Sequence, residues 1–226
     1  MIHFWDDPQF GNRMITLMSA AVLVLQILMV AQRWLITNIR AFGVQSFLLA
    51  MIGATVAYFN RAPHIYIAAA LTLLFKGIVL PVILERLVTK IEIRQEIQPF
   101  VNVPVSVLIA GGLTLLAYSV AESFQRPEEA ARLGHNTLAV AISLFLIGFF
   151  MMVNRRKALT QVLGLLCLEN GLLLAAISLT YGMPLVVEVG IFFDVLVAAL
   201  LLAILIYRIR ETFDSMDVSR LSRLRG

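Results

Sequence analysis

The chain holds one cysteine, Cys167, and three scattered histidines, His3, His64 and His135, in 226 residues. A single cysteine excludes an intramolecular disulfide and any cysteine-held iron–sulfur cluster. The histidines show no metal-ligand spacing, so no cofactor or metal site is expected in this chain. Charge is also scarce: only 14% of residues are Asp, Glu, Lys or Arg, against about 25% in a soluble domain. Met1 to Gly11 is acidic and aromatic and lacks the basic start of a cleaved signal peptide. No convincing internal repeat is present. The formal net charge of +4 lies in short segments between apolar runs, which argues for membrane topology over nucleic-acid binding.

What the chain does have is apolar sequence, 60% of it, in runs rather than in a scattered core pattern. Seven runs cover about 14–32, 41–59, 64–85, 101–121, 135–153, 158–180 and 184–207. Each is near the ~20 residues a helix needs to cross a bilayer. The expected fold is therefore all-α, a polytopic membrane protein of about seven transmembrane helices. With seven, Arg13, Arg61, Arg126 and Arg132 fall on one side, Lys76 lies within a run, and the other thirteen of the 18 Lys and Arg residues fall on the opposite side. Basic residues in short loops mark the cytoplasmic face. The N-terminus is thus expected outside and the C-terminus in the cytoplasm, in a plasma (inner) membrane.

Between the runs, Arg86 to Pro99 mixes apolar and charged residues and reads either as an interfacial amphipathic element or as a solvated loop. Gln125 to Leu133, with Pro127, Glu128 and Glu129, reads as an outer loop. It divides an N-terminal four-helix part (1–134) from a three-helix unit (135–212) and a basic tail (213–226).

Ionisable residues at depth carry the functional signal. Insertion scales put an Asp, Lys or Arg at a helix centre at about 2.5–3.5 kcal/mol each, so a chain that keeps several pairs them or uses them. Glu169 lies about 16 Å along its helix at 1.5 Å per residue, near the middle of the hydrocarbon layer. Asp194 sits at similar depth in the seventh run and Lys76 is central in the third. The sixth and seventh runs are joined by a short turn at Tyr181-Gly182-Met183-Pro184 and must be antiparallel neighbours. Glu169 and Asp194 can therefore face one another, with Lys76 as countercharge or third member of a proton relay. Secondary candidates are Glu188 near the outer surface, Glu85 near the cytoplasmic surface, His135 at the start of the fifth run, and Asn170, expected to bond a neighbouring helix. Pro81 cannot donate to the Gly77 carbonyl four residues earlier, so the third helix is expected to be irregular there. Gly111-Gly112 suggests a close helix approach or a kink.

The last three runs resemble the three-helix K subunit of respiratory complex I and its relatives in cation/proton antiporters. The basic Arg155-Arg156-Lys157 leads into a helix with Gly164-Leu165, Glu169 and Asn170. A carboxylate, Asp194, recurs in the next helix, and Asp214-Ser215 lies in the short tail. In the complex I subunit the glutamate directly follows the Gly-Leu pair. Here Leu166 stands there and Glu169 comes three residues later, keeping the helix face but shifting the depth by about 4.5 Å. With its extra N-terminal helices and the Leu168-Glu169-Asn170-Gly171 and Phe193-Asp194 segments, the whole pattern is most similar to the hydrogenase-4 component E family.

That resemblance implies a non-catalytic membrane subunit of an oxidoreductase complex related to hydrogenase-4 and formate hydrogenlyase. Its expected neighbours are antiporter-like membrane subunits and a quinone-module-like membrane subunit, with a hydrogenase and iron–sulfur arm reached indirectly. Two other readings stand beside it: a self-contained secondary transporter and a purely structural membrane scaffold. The transporter reading lacks inverted repeats and matched broken helices.

Overall fold

In lipid, each backbone N–H and C=O must be satisfied within the protein, so apolar runs of this length close their own hydrogen bonds as helices. The structure, a computed structural model, describes residues 8–91, 99–124, 136–156 and 158–180. Every element there is helical: α1 (Pro8–Ala31), α2 (Leu35–Asn60), α3 (Pro63–Leu71), a π-helix (Thr72–Val79), α4 (Leu80–Ile91), α5 (Val103–Phe124), α6 (Thr137–Asn154) and α7 (Ala158–Thr180). The third to fifth of these run on as one span, so the described residues form six helices long and apolar enough to cross a membrane. The expected seventh span, 184–207, lies outside the described residues.

Three boundaries differ from the hydropathy reading, each because polar residues take helical positions. α1 opens at Pro8, whose fixed φ suits a first helical turn. α2 opens at Leu35, before polar Thr37, Asn38 and Arg40; Asn38 is buried and its Nδ2 donates to the Gln32 carbonyl at 3.3 Å. α4 continues past Glu85 to Ile91 because Leu87 and Val88 remain buried. The irregularity expected near Pro81 takes the form of the π-helix. Pro81 offers no N–H, and Leu80 N–H bonds back to the Phe75 carbonyl, five residues earlier, the wider winding of a π-turn.

α2 is the central post: it touches α1, α3, the π-helix, α4 and α7. The tightest pairing is α6 with α7. A Cβ at Gly148 would lie 2.5 Å from Leu168 N, one at Gly164 2.6 Å from Met152 N, and one at Gly171 2.6 Å from Phe145 N. These are backbone atoms, so the two helices meet main chain to main chain, as small residues allow in membranes. α5 packs on α6 and α1 and leaves Leu108 and Leu115 exposed. Gly111 and Gly112 of α5 meet nothing within 4 Å, so among the described residues they serve no close approach.

Two sets of glycine substitutions are expected to differ. Gly148→Ala and Gly164→Ala should destabilise the solubilised protein by about 1–3 kcal/mol or more, the cost of forced overpacking. Gly111→Ala and Gly112→Ala should be neutral or stabilise by up to ~1 kcal/mol through helix propensity. Thermal unfolding in detergent checks both; equal effects at the two places would contradict the packing described.

Candidate functional site

The π-helix carries Lys76 into the interior, where the side chain is 4% exposed, and α7 brings Glu169 beside it at 1% exposure. Lys76 Nζ lies 3.5 Å from Glu169 Oε2. That is an ion-pair distance, longer than the about 2.7–2.9 Å of a tight charge-assisted hydrogen bond. Two such groups in a medium of low dielectric need one another: leaving either alone there costs several kcal/mol.

A chain of uncharged, hydrogen-bonded side chains starts at the residue after Glu169. Asn170, next to Glu169, donates from Nδ2 to Gln45 Oε1 at 3.1 Å and to Ser46 Oγ at 3.2 Å. Gln45 Nε2 donates onward to Gln26 Oε1 at 2.8 Å and to the Val22 carbonyl at 3.3 Å. Gln26 Nε2 reaches Met151 Sδ at 3.3 Å. These bonds link side chains of α1, α2, α6 and α7 in one buried chain. Gln26, Gln45, Ser46, Cys167 and Asn170 are all fully buried. The site can hold charge and protons away from lipid. Among the described residues no group of three or more His, Cys, Asp or Glu is placed to hold a metal.

A second polar cluster closes one end of the bundle. Arg155 is buried, and its Nη2 donates to the carbonyls of Met29, Val30 and Gln32 at 3.1–3.2 Å. These are the last carbonyls of α1 and its turn, where a helix end carries partial negative charge. Asn154 Oδ1 accepts from Val101 N–H at 2.7 Å, and its Nδ2 donates to Ser106 Oγ at 3.1 Å. The Arg156 guanidinium stacks 4.5 Å from the Phe100 ring centre, a cation–π contact. At the same end, Arg40 of α2 pairs with Glu85 of α4 at 2.8 Å.

Of the residues singled out from sequence, Lys76, Glu169 and Asn170 come together in one cluster. Glu85 does not join them; it is partly exposed and bound to Arg40. His135, Glu188 and Asp194 lie outside the described residues. Gln26, Gln45 and Ser46 are not among the residues singled out from sequence; a long polar side chain inside an apolar run is the available signal for the two glutamines. Arg155, which stands in the basic segment before the sixth run, is an interior ligand of helix carbonyls.

The family model described as NADH-ubiquinone/plastoquinone oxidoreductase chain 4L matches residues 136–226. The chain is also similar to an uncharacterised protein of Mycobacterium tuberculosis, Rv0085, with 31% identity over 92% of this chain and 94% of that one. It is similar to hydrogenase-4 component E of Escherichia coli K12, with 28% identity over 82% of this chain and 85% of that one. No solved structure matches. Six membrane-length helices and these relatives define a multi-pass membrane protein, here with a buried lysine–glutamate pair at its centre. The chain belongs to the family of hydrogenase-4 component E and the complex I chain 4L (K-type) subunits.

Removing one member of the pair should cost far more than removing both charges. Lys76→Met alone should destabilise the protein by about 3–5 kcal/mol, the cost of stranding a buried partner. The double variant Lys76→Met/Glu169→Gln should recover most of that loss. A double-mutant cycle on thermal stability checks the coupling; additive effects would show that the two groups do not interact.

Proposed function

We propose that this chain is an inner-membrane subunit of a redox-driven, hydrogenase-4-type assembly related to complex I, and that the Lys76–Glu169 pair handles the ion it moves. The observation that carries the reading is the 3.5 Å separation of two ionisable groups sealed inside the helix bundle. One proton passing from Nζ to the carboxylate turns an ion pair into a neutral pair. In a low-dielectric interior the attraction of the first state and the lower desolvation cost of the second oppose each other, so a modest change nearby decides between them. Asp194, on the expected seventh span, would be the third member of this relay, with Glu188, His135 and Glu85 as secondary members.

Family membership supports the wider setting. The 4L match covers the C-terminal part, the proposed three-helix unit of 135–212, and the hydrogenase-4 component E similarity extends over most of the chain. Neighbours would be antiporter-like subunits and a quinone-module-like membrane subunit, with the hydrogenase and iron–sulfur centres outside this chain. The end bearing Arg40, Arg155 and Arg156 would face the cytoplasm and the N-terminus the outside.

The test is Glu169→Gln in the assembled complex, reconstituted in vesicles. Redox-coupled ion translocation should fall roughly 100-fold, as expected when a group in the proton path is removed, while the amount of assembled complex is unchanged. Full translocation with Gln at this position would leave the chain a scaffold.

A further inference from the structure

One turn of α2 touches the sequence neighbour of each buried charge. Gly43 lies against the segment that carries Lys76: a Cβ there would sit 3.3 Å from Pro81 Cγ and 3.4 Å from the Gly77 carbonyl oxygen. Two and three residues on, Gln45 Oε1 and Ser46 Oγ accept from Asn170 Nδ2 at 3.1 and 3.2 Å, the residue after Glu169. Gln45 is itself fixed from the other side by Gln26 at 2.8 Å and the Val22 carbonyl. We propose that the α2 turn Gly43–Ser46 is the positioning element that sets the Lys76–Glu169 separation, by gripping Gly77 on one side and Asn170 on the other.

The physical case is one of stiffness. Between helices in lipid there is no hydrophobic force to restore a shifted contact; packing and interhelical hydrogen bonds do it. The grip on Asn170 is a pair of hydrogen bonds among fully buried groups, and a buried amide that loses its partner forfeits its desolvation cost. The grip on Gly77 is steric: Gly43 lets the two backbones approach, and the Pro81 ring fills the space beside it. Both grips sit on one rigid helical turn, so the distance between them is fixed by α2. Gly43, Gln45 and Ser46 act on the pair through Gly77 and Asn170. This role rests on the reading of the pair as proton-handling, but the geometry behind it can be measured apart from transport.

The assembled complex in its membrane is treated with a hydrophobic carbodiimide near neutral pH. The Glu169 carboxyl adds across the carbodiimide, its proton going to nitrogen. Lys76 Nζ then attacks the carboxyl carbon, an amide bond forms, the C–O bond to the reagent breaks, and the urea leaves. The protein loses the elements of one water, and mass spectrometry of the linked peptides gives the yield. Gly43→Val and Gln45→Leu should lower the yield roughly tenfold or more, the sensitivity of a positioned reaction to small misplacement, with assembly retained. The exchange Gln45→Asn/Asn170→Gln, which keeps the summed reach of the two amides, should restore it relative to Gln45→Asn alone. The pH profile of coupled ion translocation should move in Gln45→Leu and return in the exchange variant. If Gly43→Val does not assemble, Gly43→Ala applies the same push with a smaller drop in yield. No cross-link in the unmodified protein, or equal yields in all variants, overturns the proposal. Yields that fall while Glu169→Gln still translocates leave the positioning intact and remove the proton-handling role instead.

Discussion

A charge in hydrocarbon must find its counterpart inside the protein, and among the described residues Lys76 and Glu169 meet that requirement for one another. Much of the architecture can be traced to it. The two residues lie on spans far apart in the chain, so the helices that carry them must be brought to one depth and one azimuth. The π-helix alters the winding just where Lys76 leaves the helix, and Pro81 supplies the missing donor that favours this irregularity. α7 in turn is seated against α6 through glycines so closely that backbone meets backbone. A lysine and a glutamate that could not reach one another would be expelled or neutralised; the bundle is arranged so that they can.

The uncharged amides solve a related problem. In water, apolar faces hold helices together; in lipid they do not distinguish a neighbouring helix from an acyl chain. Gln26, Gln45 and Asn170 tie α1, α2 and α7 together through directional hydrogen bonds, which apolar contacts cannot supply. That explains why long polar side chains stand fully buried in runs otherwise made of Leu, Val and Ile. The exposed middle of α5, by contrast, presents Leu108, Leu115 and Leu116.

The sequence made the spans legible because length and polarity are local properties. It also made Lys76, Glu169 and Asn170 legible, since a polar group at helix centre is costly wherever its partner lies. Pro81 announced irregularity but not its form, because several windings relieve a missing donor. Hydropathy placed the starts of α1 and α2 too late, since polar residues such as Asn38 can be buried once a turn accepts their bonds. Gly111-Gly112 suggested close packing, yet the tight approaches are at Gly148, Gly164 and Gly171; composition does not say which face of a helix meets a neighbour. The identity of the partner of Glu169 was out of reach for the same reason. Lys76 was one of two options, and only the tertiary arrangement brings its Nζ within 3.5 Å of Glu169 Oε2.

Arg155 carries a consequence for how the chain is made. Its guanidinium satisfies the carbonyls that end α1, yet it stands 125 residues beyond Val30. During synthesis α1 enters the membrane long before that group exists. Its C-terminal carbonyls must first be served by water at the interface, and are drawn into protein only after α6 has been inserted. The last step in sealing the first span therefore waits for the fifth, which makes closure of that end of the bundle a late event in biogenesis. A chain interrupted before residue 155 would present an α1 terminus still tethered to the water boundary.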